Sequence, residues 1–131
     1  MVAVFGSGCL LPGGAFGAPI ADPGGPIAFR PGVGQTSAGV PSIDITRPNA
    51  AGTSYNRYQR FDVQAEGVVL NNSTRAGTTL LGGSVEANPN LAGGSPASVI
   101  VNEVVAPGAP SRLAGTLEVF GAPATTIVAN P

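Results

Sequence analysis

The chain has 131 residues and a formal net charge of −1, and charged residues make up only 10% of it. It has no histidine, one cysteine and six basic residues, all of them arginine, which excludes a His/Cys zinc site, an intramolecular disulfide, a Ser-His or Cys-His nucleophile pair and a lysine-dependent phosphate loop. The near-neutral charge provides no electrostatic attraction for nucleic acid or an anionic membrane, so we expect no nucleic-acid partner, no stable membrane insertion and no cofactor.

The first segment, residues 1–37, shows no regular alternation of apolar and polar residues. Its beginning resembles the tail of an export signal, and the small residues around Ala15 and Ala18 would suit a cleavage site, but no basic residue precedes Arg30. Pro12 interrupts the apolar run well short of a membrane span. We therefore interpret residues 1–37 as a Gly/Pro-rich leader, a possible remnant of an export signal.

The second segment, residues 38–131, is predicted to consist of short strands. The 20 glycines and 13 prolines oppose long helices, and no stretch has a 3.6-residue period, so the predicted class is all-β. Period-two alternation, which is typical of strands with one buried face, occurs at residues 42–46, 61–66, 84–87 and 116–119. Continuous apolar runs, which suit strands covered on both faces, occur at residues 67–70, 99–105 and 127–129. The side chains expected to face inward are Ile43, Ile45, Val63, Val69, Leu117 and Val119.

Asparagine recurs where apolar runs end, at Asn71, Asn72, Asn102 and Asn130, about 30 residues apart with a strand between each pair. Two architectures fit this spacing, a β-sandwich and a parallel β-solenoid. Asparagine favours the solenoid, because it tolerates the left-handed backbone of a sharp corner and its amide can bond to backbone groups that the corner leaves unpaired. Stacked amides can also form ladders between coils. We therefore predict solenoid corners at Asn71, Asn72 and Asn102.

Two sets of side chains are candidates for a catalytic or contact role. Asp44, Asp62 and Glu66 could supply a carboxylate pair for sugar cleavage, but each falls on the polar face of an alternating strand, where a solvent-facing role is the simpler interpretation. Tyr55, Tyr58 and Phe61 are interpreted as core or cap packing, with the tyrosine hydroxyls at the rim.

An ordered series of motifs then carries a family resemblance. The series consists of N-x-Y-x-x-F-D-V, LNNS, ANPNL, NEV, LEV-x-G and VANP, within residues 45–73, 80–94, 99–121 and 126–131. In this order and spacing, residues 40–131 resemble the two-partner secretion, or haemagglutination-activity, domain. That domain stands at the N-terminus of large exoproteins of the filamentous haemagglutinin type.

The resemblance implies a right-handed parallel β-helix with an N-terminal cap, and a role in secretion recognition. The implied partner is the periplasmic part of an outer-membrane β-barrel transporter, on which the unfolded exoprotein docks before it folds outside and nucleates the β-helix behind it. Such exoproteins are adhesins, haemagglutinins, cytolysins or contact-dependent toxins, secreted or held at the surface of Gram-negative bacteria, where the remainder contacts a host or neighbouring cell. The expected protein is therefore not an enzyme; the alternatives are a β-solenoid carbohydrate-active enzyme and a generic surface-binding scaffold.

Two family motifs single out site residues. The first, NPNL, matches Asn88, Pro89, Asn90 and Leu91 in full, and the second, NPNGI, matches only Asn130 and Pro131. These residues are predicted either to recognise the transporter or to shape a turn, and both interpretations stay open. Because the family's domain is longer than the matched segment, residues 38–131 are expected to be a partial secretion domain with a truncated β-helix.

Overall fold

The structure, a computed structural model, describes residues 18–108 and 110–131, so residues 1–17 of the predicted leader lie outside the described residues. Within them the regular elements are strands, together with two three-residue 3₁₀ turns. The strands are β1 (Ile20–Ala21), β2 (Gly32–Gln35), β3 (Pro41–Asp44), β4 (Thr53–Arg60), β5 (Val68–Asn72), β6 (Gly77–Thr78), β7 (Ser84–Val85), β8 (Val99–Val104), β9 (Leu117–Gly121) and β10 (Thr125–Ala129), and the 3₁₀ turns are Ile27–Phe29 and Pro89–Leu91. The all-β prediction is confirmed.

The chain coils through two sheets that run side by side. Strands β3, β5 and β9 pair in parallel in one sheet, and β4, β8 and β10 pair in parallel in the other. Each rung gives one strand to each sheet, first β3 and β4, then β5 and β8, then β9 and β10. A third side of the coil is marked by a parallel bridge between Val63 and Leu113. Stacked parallel rungs of this kind form a β-helix, as predicted, and not a sandwich.

The N-terminal end of the coil is covered by antiparallel strands. β1 pairs with β4 at the edge of one sheet, and β2 pairs with β3 at the edge of the other. Both first-rung strands therefore have partners on both sides, and β1 and β2 are the edge strands at this end of the described chain. Both cap strands, β1 and β2, lie in residues 1–37, the segment predicted to be a leader. The domain boundary at residue 37 remains a prediction.

The core lies between the sheets and contains most of the side chains predicted to face inward. Ile43, Ile45 and Val63 are fully buried in it, and Leu117 and Val119 pack against it. Each fully buried aliphatic side chain contributes about 1.5–3 kcal/mol relative to an exposed one. Two aromatic rings, Tyr58 and Phe61, join this cluster with their centroids 4.7 Å apart, in agreement with core packing. The Tyr58 hydroxyl was predicted at the rim, but it is buried and bound to Asn102.

The prediction that Val69 faces the core is wrong. Val69 is buried, but its register partners in the parallel ladder are Ser42 and Glu118, whereas the core is built from the alternate positions Val68 and Leu70. Val69 therefore points to the outer side of its sheet. It is buried there because the chain between β5 and β8 folds over that side.

The corners also differ from the prediction. The described positions with left-handed backbone include Gly52 before β4 (φ 84°), Gly67 before β5 (φ 86°) and Gly121 at the end of β9 (φ 96°). At Gly121 a Cβ atom would lie 2.6 Å from the Asn72 carbonyl oxygen, so only glycine fits. Asn71 and Asn72 are the last two residues of β5, while Asn102 is inside β8, so the expectation that Asn102 forms a corner is corrected.

Candidate recognition segment and its asparagine network

Between β5 and β8 the chain leaves the coil, and we call residues 73–98 the excursion. It forms the β6–β7 hairpin and then the Pro89–Leu91 turn, and it packs against the outer side of the β3–β5–β9 sheet. The Glu118 carboxylate accepts hydrogen bonds from the backbone N–H groups of Leu80 and Leu81, both at 2.9 Å. On the cap side, the Thr36 hydroxyl donates to the Gly82 carbonyl oxygen at 2.7 Å. The excursion is thus tied both to β9 and to the cap.

Asn88 is the internal anchor of the NPNL motif. Its Nδ2 donates to the carbonyl oxygens of Ile45 at 3.0 Å and Asn71 at 2.8 Å, and its Oδ1 accepts from the Asn90 backbone N–H at 2.9 Å. Only 2% of its surface is exposed. Its φ of −69° lies in the extended region, so asparagine acts here through its amide and not through left-handed backbone.

The hydrogen bonds of Asn88 join the ends of β3 and β5, and we call this connection the NPNL clasp. Asn90 adds to it. Asn90 Nδ2 donates to the carbonyl oxygens of Asp44 and Ile45 at 3.3 and 3.1 Å. Pro89 begins the 3₁₀ turn and is exposed, whereas Leu91 is fully buried. In the folded chain the motif therefore presents little more than Pro89 and part of Asn90 to solvent.

Asn71 and Asn72 are the last two residues of β5, and their side chains point to opposite faces of the sheet. Asn71 Nδ2 donates to Asp44 Oδ1 at 3.0 Å and to the Glu86 carbonyl oxygen at 2.9 Å. Burial raises the pKa of Asp44, and the hydrogen bond from Asn71 offsets part of that increase. Asn71 and the NPNL motif thus meet at the end of β3.

Asn72, which is fully buried, links three parts of the chain. Its Nδ2 donates to the carbonyl oxygens of Ala97 and Ala122, each at 2.9 Å, and its Oδ1 accepts from the Ala97 N–H at 2.8 Å. Ala97 is near the end of the excursion and Ala122 follows β9. One side chain therefore satisfies three backbone groups that a change of direction leaves without strand partners.

Asn102, which was predicted to form a corner, instead belongs to a ladder of side-chain amides inside the coil. It is in register with Asn56 of β4, and both are fully buried. Asn56 Nδ2 donates to the Val101 carbonyl oxygen in the next rung, and Asn102 Nδ2 donates onward to that of Ile127. The Tyr58 hydroxyl donates to Asn102 Oδ1 at 2.9 Å. The N-x-Y spacing within β4 was the available signal for Asn56, because it puts both side chains on one strand face.

The remaining candidate residues lie elsewhere. Asn130 is exposed and its Oδ1 accepts from the Ser111 N–H at 2.7 Å, and Pro131 is exposed beside it. Asp62 accepts from the Arg112 N–H at 3.0 Å. Among the described residues no group of three or more His, Cys, Asp and Glu side chains could hold a metal ion. No helix in the described part of the chain has the length and apolarity needed to cross a membrane.

The capped β-helix and the complete NPNL motif are what the resemblance to a two-partner secretion domain implies. The chain belongs to the TPS secretion domain family, whose sequence model matches residues 21–131. Exoproteins of this family are secreted across the outer membrane of Gram-negative bacteria.

The chain is similar to a small part of much larger proteins. It is 48% identical over 118 residues to "Hemolysin" of Serratia marcescens, covering 90% of this chain and 7% of that protein. It is 48% identical over 92 residues to "Filamentous hemagglutinin" of Bordetella pertussis, covering 70% and 2%, and 45% identical over 101 residues to "Toxin CdiA" of Escherichia coli, covering 76% and 3%. The chain therefore spans less than a tenth of these relatives.

One solved structure supports the same assignment at the level of the fold. The chain superimposes on the crystal structure of the filamentous hemagglutinin secretion domain with a TM-score of 0.73 at 38% sequence identity. The match covers 86% of this chain and 35% of that one.

Proposed function

We propose that this chain is the part of an exoprotein that the periplasmic domains of an outer-membrane β-barrel transporter recognise, and that it starts β-helix folding once outside. Family membership over residues 21–131 supports the secretion role. The cap and the first rungs, with their own core, support the folding role, because later rungs can stack on a finished end. The adhesive, cytolytic or toxic activity of the whole exoprotein, and its contact with a host or neighbouring cell, would reside beyond this segment.

The observation that carries the proposal is the burial of the NPNL motif. Asn88 and Leu91 are internal in the fold, so a transporter can read their side chains only while the chain is extended. After export the same residues close the clasp between β3 and β5. We therefore assign the motif two successive uses, as a linear signal before folding and as a structural clasp after it.

The test grafts residues 38–131 into the complete secretion domain of a relative with a known transporter. Asn88→Ala with Asn90→Ala removes four side-chain donations to backbone carbonyls and the turn-closing bond to the Asn90 N–H. Export into the medium is expected to fall by at least about tenfold, since each lost buried hydrogen bond costs about 1 kcal/mol or more.

A matched control separates recognition from folding. Asn49 is exposed and accepts from the N–H groups of Ala51 and Thr53, so Asn49→Ala also removes local amide bonds, but outside the motif. Export of the double variant at the unsubstituted level would overturn the proposal. Lost export with weaker binding of the unfolded chain to the transporter's periplasmic domains would support the recognition use.

We further infer that this segment performs no catalysis. The family that matches the chain is defined by a secretion role and not by a reaction, and the relatives reported above are a hemolysin, a filamentous hemagglutinin and a toxin. The carboxylates considered for sugar cleavage are engaged in local bonds, with Asp44 bound by Asn71 and Asp62 bound by the Arg112 N–H. This argues for a recognition module over the alternative of a carbohydrate-active enzyme.

A further inference from the structure

A groove of about 430 Å³ lies on the outer side of the cap end, next to the residues that the NPNL motif binds. One wall is β2 and the other is formed by residues 84–86 of the excursion, while Ser42, Asp44 and Asn71 form the floor. This volume is large enough for one or two side chains of a ligand. The groove exists only after the chain has folded, because its walls come from the cap and from the excursion.

The β2 wall is bare on the side that faces the groove. Gly32 and Gly34 are in register with Asp44 and Ser42, and paired positions of neighbouring strands face the same side. A Cβ atom at Gly34 would meet nothing within 4 Å. A long side chain from outside can therefore lie across β2 and reach the floor of the groove.

The outer edge of β2 offers backbone hydrogen-bonding groups. The Thr36 N–H donates to the Val40 carbonyl oxygen at 2.8 Å, which fixes the parity of the antiparallel pairing. By the alternation of that pattern, the N–H and C=O groups of Val33 and Gln35 point away from β3. In the described part of the chain β2 is an edge strand, and its four residues are exposed.

The groove is acidic. Asp44 lies half-buried on its floor and Glu86 is exposed on its wall, and none of the described residues that line it is basic. Burial raises the pKa of Asp44, so a cation brought close to this carboxylate would favour its charged form. A positively charged side chain would complement the charge of this groove.

We propose that the folded domain binds an extended peptide segment that adds as a strand to the outer edge of β2 and places an arginine or lysine side chain in the groove, over Gly32 and Gly34, against Asp44 and Glu86. Strand addition supplies main-chain hydrogen bonds and the groove supplies side-chain selectivity. An added strand would lie about 10 Å from β3, two strand spacings away, a distance that an arginine and an aspartate side chain span together. This binding is independent of the transporter recognition proposed above, because it requires the folded chain.

The experiment titrates the chain with a blocked five-residue peptide that has a central arginine flanked by valine and threonine. Calorimetry measures the affinity, and NMR follows the amide signals. Binding is expected to shift the amide signals of Val33 and Gln35 and to weaken with salt. Three control peptides carry citrulline or glutamate in place of arginine, or N-methyl groups on the backbone, and each should bind at least about tenfold more weakly. Equal binding of the citrulline peptide, or no shift at Val33 and Gln35, would overturn the proposal.

Two variants of the chain locate the site. Asp44→Asn keeps the shape of the side chain and its ability to accept from Asn71, and it should weaken binding at least about tenfold, whereas Glu66→Gln, a charge change at an exposed position outside the groove, should not. Gly34→Phe fills the groove and should abolish binding, whereas Thr125→Phe adds the same ring to an exposed position of β10 and should not. Full affinity in both Asp44→Asn and Gly34→Phe would place the peptide elsewhere and refute the assignment.

Discussion

Buried asparagine amides in this chain bind backbone groups that strand pairing satisfies elsewhere in a β protein. Asn72, Asn88 and Asn102 each direct a side-chain amide at carbonyl oxygens of other segments. A carbonyl left without a donor inside a fold costs roughly as much as a lost hydrogen bond. The amides therefore allow the chain to change direction inside the fold without leaving polar backbone groups unpaired.

Replacing the buried Asn72 should lower the free energy of unfolding more than replacing an exposed asparagine does. Asn72→Ala removes donors from two carbonyl oxygens and an acceptor from the Ala97 N–H, and it leaves these groups buried. We expect the free energy of unfolding to fall by about 2–4 kcal/mol. Urea denaturation measures it, with Asn49→Ala as the exposed control, for which a loss below about 1 kcal/mol is expected. Similar losses in the two variants would contradict this ranking.

Asp44 gives the chain a pH-dependent contribution with a definite sign. Burial raises its pKa above the ordinary value of 3.8, so the folded state holds the proton to a higher pH than the unfolded state does. The free energy of unfolding should therefore decrease as pH rises through the window between 3.8 and the raised pKa. At neutral pH the ionised Asp44 costs stability.

The variant Asp44→Asn tests this sign. It should raise the unfolding midpoint at neutral pH, because it removes the buried charge and can still accept the hydrogen bond from Asn71. Below pH 3.8, where the wild-type carboxyl is protonated in both states, the two midpoints should converge. Thermal melts across this range provide the measurement, and a difference that is independent of pH would contradict the assignment.

At the scale of elements, the excursion is held by few but specific contacts. The β6–β7 hairpin has only two residues in each strand, which is too little for independent stability. It is kept in place by the Glu118 carboxylate, only 9% of whose residue surface is exposed, and by hydrogen bonds to the cap. The Glu118 side chain on β9 is therefore one of the few contacts that keep the outer side of the sheet covered.

Glu118→Gln should loosen this hairpin selectively. The glutamine amide can accept from only one of the Leu80 and Leu81 N–H groups, and it turns its own NH₂ group toward the other. We expect hydrogen exchange at these two amides to accelerate by about tenfold or more, while exchange in β4 and β8 is unchanged. Glu66→Gln is the matched control, and equal exchange in both variants would show that the carboxylate does not hold the hairpin.

Much of the element pattern could be predicted from local sequence, and the exceptions have physical reasons. The inward positions Ile43, Ile45 and Val63 follow from alternation alone. Val69 does not, because it is buried by an excursion whose path depends on Glu118, far along the chain. β4 was not predicted from alternation because its inward positions Ser54 and Asn56 are polar, and their burial depends on bonds such as that from the Thr46 N–H to Asn56 Oδ1 at 2.9 Å.

For the candidate site, the sequence identified the motif residues but not their burial or their contacts. The family motif identified Asn88 and Asn90, but not that Asn88 is internal. Asn102 was placed at a corner because it follows an apolar run, whereas its position is set by register with Asn56 in another rung. The glycines that form the left-handed corners were visible in the sequence, yet nothing local distinguishes Gly67 from the many other glycines. Contacts between distant segments decide each of these cases.

At the scale of the whole molecule, the cap, the excursion and the third rung are joined in a closed circuit. Thr36 bonds to Gly82, the neighbouring Leu80 and Leu81 bond to Glu118 of β9, and β9 pairs with β5, which pairs with the capped strand β3. Repeat proteins often lose cooperativity because each unit touches only its neighbours. Here the circuit links units that are not adjacent.

We therefore expect the chain to unfold in one step. Far-UV circular dichroism reports all the strands, and tyrosine fluorescence, in a chain without tryptophan, reports Tyr58 in the core and Tyr55 beside Phe29 at the cap. The two denaturation curves should coincide. Separate transitions for the two signals would show that the cap melts independently of the rungs.

The order in which the rungs are wound also sets how the molecule responds to tension. Among the described residues β10 is paired on one side, with β8, and β9 on one side, with β5, so a force applied to β10 breaks strand pairings one after another, beginning with that between β10 and β8. A force applied between the cap and β10 instead acts along the stacking direction of the rungs, where the hydrogen bonds of the Asn56–Asn102 ladder and of Glu118 add to the strand pairings. The response of the fold to tension therefore depends on where the force is applied.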